Sequence, residues 1–456
     1  MVSPQQRRLQ FALGGALFMQ GLDSTAIVPA LPRIAETFQA PELAPHILLA
    51  AYFIGCGASL PVIGWAADRF GARKVLLIAI GVFVLAGLAS AMAPDLIWLT
   101  VSRFLQGAAA ATLMPVARML AVRTAPPQAL LGIITALTAP AMAGQTLGPA
   151  VGGLLAAYDG WRMIFLVGVP FAIASLGIVA VIAPDARRED CGRLDWVAMI
   201  MGVLAMACAV AGLGTLRDDG PPLLVPVLFI LAAIGLGIGF VRKNLGSPRP
   251  LIDFRVLKDP TFRRCFSGGM LFRLLVGGTP FVLAYHFQSG LELGAWQAGL
   301  LITASGAGAL LVKPFTARLI SRGGYRGTLL WAGAASVVLF VVPAFADWRW
   351  PLALIAAVLV AGSFVRSLQI TTFGTLCYAD LPPQSAGSAS VLSSIAQQLS
   401  HALGVALAAG AMAVTTVAGA PEACVGLSGY FALAVGAALC LPVFFRLSPD
   451  AGKRLL

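Results

Sequence analysis

Apolar residues run along this chain in blocks of roughly 20, separated by short gaps that hold most of its Lys and Arg. Each block is long enough to cross about 30 Å of hydrocarbon as an α-helix, which satisfies its own backbone hydrogen bonds where no water can. The polar-apolar alternation of a transmembrane β-barrel is absent. The pattern predicts an all-α membrane protein with fourteen spans, near 10–31, 46–66, 75–93, 97–117, 129–157, 162–183, 195–216, 221–241, 265–290, 296–317, 328–346, 350–378, 386–416 and 425–445. The first block is too long for a signal-peptide core and lacks a small-residue cleavage site, so it reads as a retained span.

Composition narrows the class further. Of 456 residues, 59% are hydrophobic and 11% charged, with a mean hydropathy of +0.89, which excludes a water-soluble domain. The net charge of +12 would suit a nucleic-acid binder, but there is no basic stripe or tail. The cations mark sidedness instead. With the N-terminus in the cytoplasm, only Arg33, Arg162, Arg217 and Arg349 fall in outer gaps, and Arg103, Arg273, Lys313 and Arg366 fall within spans. Every other Lys and Arg lies on the cytoplasmic side, so both termini are expected there. The seven cysteines are scattered and form no C-x-x-C pair, so neither a disulfide framework nor a metal site is expected, and no cofactor is called for.

A repeat divides the spans. Pro61, Gly71 and Arg73 fall on Pro314, Gly324 and Arg326 at one constant offset, each set following the second span of its half. Repeated six-span halves with a site at their interface are a common transporter build. The offset leaves room for two more spans, giving a six-helix half at 1–190, two additional helices at 191–245 and a second six-helix half at 246–456.

Four stretches carry a family resemblance. The gap after the second span reads Gly64-Trp-Ala-Ala-Asp68-Arg69-Phe70-Gly71-Ala72-Arg73-Lys74, where glycines permit a tight turn and Asp68 can cap a helix. The first span holds Leu22-Asp23-Ser24-Thr25-Ala26-Ile27-Val28-Pro29-Ala30-Leu31-Pro32, the fourth Arg103-Phe-Leu-Gln106-Gly107, and the fifth Gly144-Gln-Thr-Leu-Gly148-Pro149-Ala-Val-Gly152-Gly153. Together they resemble the signatures of the major facilitator superfamily, in its fourteen-span drug:proton antiporter branch. Val28 and Pro29 depart from the usual asparagine and apolar residue, and Thr135 stands where the earliest glycine of the fifth-span motif is expected. Pro115-Val-Ala-Arg118, Arg273 and Gly324-Tyr325-Arg326 are most similar to the multidrug exporters of that branch. The first half matches densely and the second loosely, through its spans, the loop repeat and Asp380-Leu381-Pro382. The resemblance implies a pseudo-symmetric major facilitator fold, a multi-pass place in the inner membrane, and a loop that latches the two halves in one state.

The residues themselves carry the candidate chemistry. Asp23 lies mid-span, where a carboxylate is costly and by default marks an ion or substrate route; the other reading is pairing with an Arg or capping a kink. Arg103 would cost about 2.5–3.5 kcal/mol at a helix centre, so it must face the interior and find an acceptor, either Asp23 or carbonyls of a kinked helix. Asp23 and Arg103 are the proton-coupling candidates, with Gln106 one turn on from Arg103. Gly144, Gly148 and Gly152 recur every four residues as a smooth stripe beside Pro149, suited to close and sliding helix contact. The second half adds Arg273, Arg366, His286 and His401 with few acids to balance them, while Lys313 can snorkel to the headgroups. With Gln106, these four are the substrate-binding candidates, and their positive sign favours a carboxylate or phosphate over a lipophilic cation. Phe, Trp and Met are dispersed as lipid-facing and packing residues, with no aromatic binding box.

The expected function is proton-coupled efflux of a small molecule, drug-like or an organic anion, by alternating access. The expected partners are that substrate, protons and the lipid bilayer, with no nucleic acid, and the chain is expected to act as a monomer. A lipid or lysolipid translocase of the same fold is the alternative. A membrane-embedded lipid-modifying enzyme is disfavoured: the only histidines are His46, His286 and His401, no H-E-x-x-H occurs, and no G-x-x-x-x-G-K-[ST] loop offers ATP chemistry.

Overall fold

The computed structural model describes residues 4–41, 44–124, 130–158, 160–182, 195–214, 224–247, 252, 254–346, 349–381, 386–419 and 421–452, and among them the regular structure is entirely helical. Fourteen main helices follow one another: α1 (Pro4–Ala26), α2 (His46–Phe70), α3 (Ala72–Ala91), α4 (Leu96–Thr124), α5 (Leu130–Ala157), α6 (Val169–Ile182), α7 (Trp196–Gly214), α8 (Leu224–Gly246), α9 (Pro260–Tyr285), α10 (Ala295–Leu311), α11 (Thr316–Val341), α12 (Leu352–Leu376), α13 (Ala386–Val417) and α14 (Glu422–Ala438). Each coincides with one predicted span. Eleven helical stretches of the described residues are long and apolar enough to cross a membrane, one of them joining α10 and α11.

Proline and glycine account for where the helices differ from the apolar blocks. The first helix continues past Ala26 through a 3-10 turn at Val28–Ala30 into a short helix, Leu31–Thr37, with Pro29 and Pro32 at the starts of these two pieces. A proline lacks the N–H that an uninterrupted α-helix would need there. The stretch 9–37 thus puts Asp23 near its middle. The tenth helix stops at Leu311, short of the predicted end, because Lys313-Pro314-Phe315 forms a 3-10 turn. Its repeat partner Pro61 is instead accommodated inside α2.

The loop repeat is visible in the backbone. Gly71 separates α2 from α3 with φ of 90°, and Gly324 breaks the start of α11 with φ of 63°, both in the region that favours glycine. Two residues on, each arginine reaches the last turn of the last helix of its repeat. Arg73 donates to the Ala180 carbonyl in α6, and Arg326 Nη2 donates to the Phe445 carbonyl at 2.9 Å, at the end of the Cys440–Phe445 helix that follows α14. A cation at a helix C-terminus meets both unsatisfied carbonyls and the negative end of the helix dipole. Asp68 differs from its expected capping role. It sits inside the last turn of α2, which runs on to Phe70, so Gly71 occupies the boundary.

The chain forms two compact units, Met1–Ala207 and Cys208–Leu456, with the boundary inside α7. In the first, the main packing pairs are α1–α5, α2–α4, α3–α4 and α1–α6; in the second they are α9–α13, α10–α12, α11–α12, α13–α14 and α9–α14. All but α13–α14 are pairs of the first set moved eight helices along, which is the packing counterpart of the sequence repeat. Glycines sit at corresponding crossings. A Cβ on Gly55 or Gly107 would run into the Phe104 or Tyr52 carbonyl between α2 and α4, and one on Gly308 would run into the Val360 carbonyl between α10 and α12. Without side chains there, backbones approach closely enough for the dispersion contacts that hold helices together in lipid.

Replacement of Arg326 by Ala is expected to lower the melting temperature of the purified protein by a few degrees, consistent with about 1–2 kcal/mol for a charge-assisted bond at a helix terminus. Arg326→Lys should recover part of the loss. Equal melting of Arg326→Ala and wild type would show that the contact contributes nothing.

Candidate functional site

In the first unit, α4 presents Arg103 and Gln106 three residues apart, hence on one helix face. Both are fully buried, and they converge on Asp23 of α1, which is 3% exposed. Arg103 Nη1 donates to Asp23 Oδ2 at 2.9 Å and to Gln106 Oε1 at 2.8 Å, while Gln106 Nε2 donates to Asp23 Oδ1 at 2.9 Å. Both oxygens of the carboxylate are therefore held, one by a charge and one by an amide. Of the two sequence readings for Arg103, pairing with Asp23 is the one realised. Gln106, a substrate-binding candidate by sequence, is placed as the third member of this triad.

The guanidinium is held from its face as well as its edge. Its carbon lies 4.5 Å from the Tyr52 ring centre and 5.7 Å from that of Phe165. Tyr52 reaches it because Gly107 lets α2 pack directly on α4, a crossing tied further by Cys56 Sγ donating to the Gly107 carbonyl at 3.1 Å. Arg103 Nε and Nη2 and the Tyr52 hydroxyl have no hydrogen-bond partner among the described residues. In place of full hydrogen bonding, the charge is stabilised by one carboxylate and two aromatic faces. Phe165 carried no signal legible in the sequence. Tyr52 carried one: a tyrosine inside a span rather than at an interface belt.

The glycine stripe faces the same helix that carries Asp23. A Cβ on Gly144 would meet the Phe18 carbonyl, one on Gly148 the Thr25 hydroxyl, and one on Gly152 the Ala26 carbonyl, so the whole stripe of α5 lies against α1. Thr25 Oγ1 also donates to the Gln145 carbonyl at 3.0 Å across this contact. Pro149 and Gly153 are buried beside the stripe. In the loop repeat, Gly64 and Arg69 are exposed and Gly71 is buried at the turn. Nothing stands within 4 Å of where a Cβ of Gly64 would lie.

In the second unit the cationic candidates fall into two groups. Arg366 of α12, 7% exposed, interacts electrostatically with Tyr430 of α14, whose ring centre lies 5.5 Å from that of His286 just beyond α9. Further along α9, Arg273 lies over the Phe373 ring at 4.8 Å and within electrostatic reach of His401 on α13, where Gly277 meets the His401 backbone. Lys313 is exposed and its Nζ donates to Thr371 Oγ1 at 3.2 Å. Tyr430 escaped sequence reasoning, and so did the ring cluster around it: Phe340 is 5.0 Å from Tyr430 and Phe287 is 5.9 Å from His286. Phenylalanines read from sequence as lipid-facing or packing thus lie beside Arg103 and Arg273 and against Tyr430 and His286.

The family model of the Major Facilitator Superfamily matches residues 13–405. The chain belongs to the major facilitator superfamily. It is 31% identical over 462 residues to a Cronobacter sakazakii protein named multidrug resistance protein MdtD, covering 99% of this chain and 97% of that one. A Pectobacterium atrosepticum protein of the same name is 30% identical over 472 residues, with 100% and 98% covered. Among solved structures, the POT family transporter PepTSo superposes with a TM-score of 0.70 over 96% of this chain and 97% of its own, at 14% identity, which is likeness of fold alone. As a major facilitator protein, the chain is a multi-pass inner-membrane transporter and not an enzyme.

Proposed function

We propose that this transporter is a secondary exporter that exchanges protons for a small molecule, drug-like or an organic anion, by alternating access. The observation that carries the reading is Asp23, a buried carboxylate whose two oxygens are held by Arg103 and Gln106. Protonation of Asp23 neutralises one partner of a buried ion pair and turns an acceptor into a donor, so the arrangement that suits the carboxylate no longer suits the acid. The helix that would respond is α1, and its neighbour α5 offers a glycine face along which it can shift.

In this reading the two six-helix halves are 1–190 and 246–456, with 191–245 an accessory pair between them. Both termini are cytoplasmic, the Gly71 and Gly324 turns lie on that side, and the working unit is the monomer. Arg273, Arg366, His286 and His401 supply the substrate side of the cycle, and Asp23 with Arg103 the proton side.

The test uses proteoliposomes with an imposed pH gradient, in which proton movement is followed on adding a panel of cationic drugs and of organic anions. Wild type is expected to move protons in response to at least one compound, and Asp23→Asn to lose that response. A response of equal size in Asp23→Asn would place the proton site elsewhere.

A further inference from the structure

Arg366 has no hydrogen bond or ion pair among the described residues. Two polar groups near it are buried and without a hydrogen-bond partner among the described residues: the Tyr430 hydroxyl and His286 Nε2. The His286 ring is fixed by its hydrogen bond to the Pro343 backbone, which leaves Nε2 as its free nitrogen. These groups come from three different helical elements, α12, α14 and the turn after α9, and Tyr430 links the other two. A guanidinium without an acid partner, beside an unpartnered hydroxyl and an unpartnered ring nitrogen, offers an anion a place to bind. Water could answer the hydroxyl and the imidazole. For the charge of Arg366 an anion is the stronger partner.

We propose that Arg366 and Tyr430 form the head-group site for an amphipathic monocarboxylate, an acid with an aromatic or apolar body, with the neutral His286 ring packed against Tyr430 as part of its wall. A guanidinium binds a carboxylate through two parallel hydrogen bonds, and the Tyr430 hydroxyl supplies a third donor. One guanidinium balances one negative charge, so a dianionic phosphate would stay partly uncompensated in this interior. Gly362, one turn before Arg366, leaves space for the guanidinium: a Cβ there would lie 3.2 Å from Nη1. The walls are rings, with Phe340 against Tyr430 and Phe287 against His286, which suits an apolar body and not a second charged group. Arg366 and His286 keep 7% and 9% of their surface accessible, so the cluster is not sealed. Arg273, further along α9, takes no part in it.

This assignment rests on reading the chain as an exporter of small molecules, and the experiment separates the two. Binding of 2-naphthoate and of its neutral analogue 2-naphthamide to the full chain in nanodiscs would be measured by calorimetry at one pH. Naphthoate is expected to bind saturably and roughly tenfold or more tighter than the amide, the discrimination a buried guanidinium gives for a charged partner. Arg366→Gln should abolish that preference. Tyr430→Phe keeps the ring that packs on Phe340 and His286, removes only the unpartnered hydroxyl, and should weaken naphthoate about three- to tenfold with folding intact. Equal affinity for acid and amide, or full naphthoate affinity in both Tyr430→Phe and Arg366→Gln, overturns the site. If naphthoate binds through Arg366 yet no compound drives proton movement in proteoliposomes, the site stands and the exporter reading falls. If other compounds drive Asp23-dependent proton movement while the acid has no advantage over the amide, the exporter reading stands and the site falls.

Discussion

Arg103→Gln is expected to destabilise the protein by about 3–5 kcal/mol, the cost of leaving a buried charge without its partner. Asp23 would keep one amide contact, from Gln106, and lose the only cation that meets it among the described residues. The double variant Asp23→Asn with Arg103→Gln removes both charges and retains hydrogen-bonding groups of similar size, so most of the loss should be recovered. The sign of the pH dependence follows from the same argument. The cost in Arg103→Gln is a buried negative charge, protonation removes it, and the deficit should therefore shrink as pH falls. Thermal unfolding of the four purified proteins in one detergent at two pH values measures this. Additive effects of the two substitutions would mean that Asp23 and Arg103 stabilise the fold independently, contrary to the geometry.

Gly152→Val should destabilise the protein and abolish transport by a different route. The first carbon of any side chain at 152 runs into the Ala26 carbonyl, which is backbone and cannot rotate away. Overpacking of this kind costs about 1–3 kcal/mol where the structure can adjust, and here the adjustment is a separation of α1 from α5. That separation would draw Asp23 away from Arg103 and Gln106, so transport should fail even in protein that remains folded. Gly64→Ala is the control, because nothing lies within 4 Å of its Cβ position, and it should melt as wild type does. If Gly152→Val transports and melts like Gly64→Ala, the close α1–α5 contact has no role.

How much of this was legible in the sequence depends on the length scale of the signal. Span positions follow from runs of apolar residues, and a helix lies at each of the fourteen predicted places, with end differences set by prolines and glycines. The loop repeat was legible because glycine is required at Gly71 and Gly324 for a backbone reason, and their positive φ values supply it. Pairing of Asp23 with Arg103 could be argued because lone charges in lipid must find each other. Gln106 was harder, since a polar amide in a span fits either a substrate or a neighbouring carboxylate, and only the three-residue spacing from Arg103 favours the latter. Phe165 and Tyr430 were not legible, and Tyr52 only as a tyrosine inside a span. Aromatic residues are common at lipid-facing and packing positions, and which few turn toward a buried charge depends on how helices cross. Likewise the separation of Arg273 from Arg366 depends on helix packing, which residue counts do not carry.

The most direct test of proton coupling through Asp23 compares two modes of transport in the same proteoliposomes, using any compound that drives proton movement in wild type. One mode is substrate exchange at equal pH on both sides, which needs the conformational cycle but no net proton flux. The other is uphill accumulation driven by a pH gradient. Asp23→Asn, fixed in a neutral form that mimics the protonated acid, is predicted to retain exchange and to lose gradient-driven accumulation. Accumulation at the wild-type level in Asp23→Asn would contradict the account.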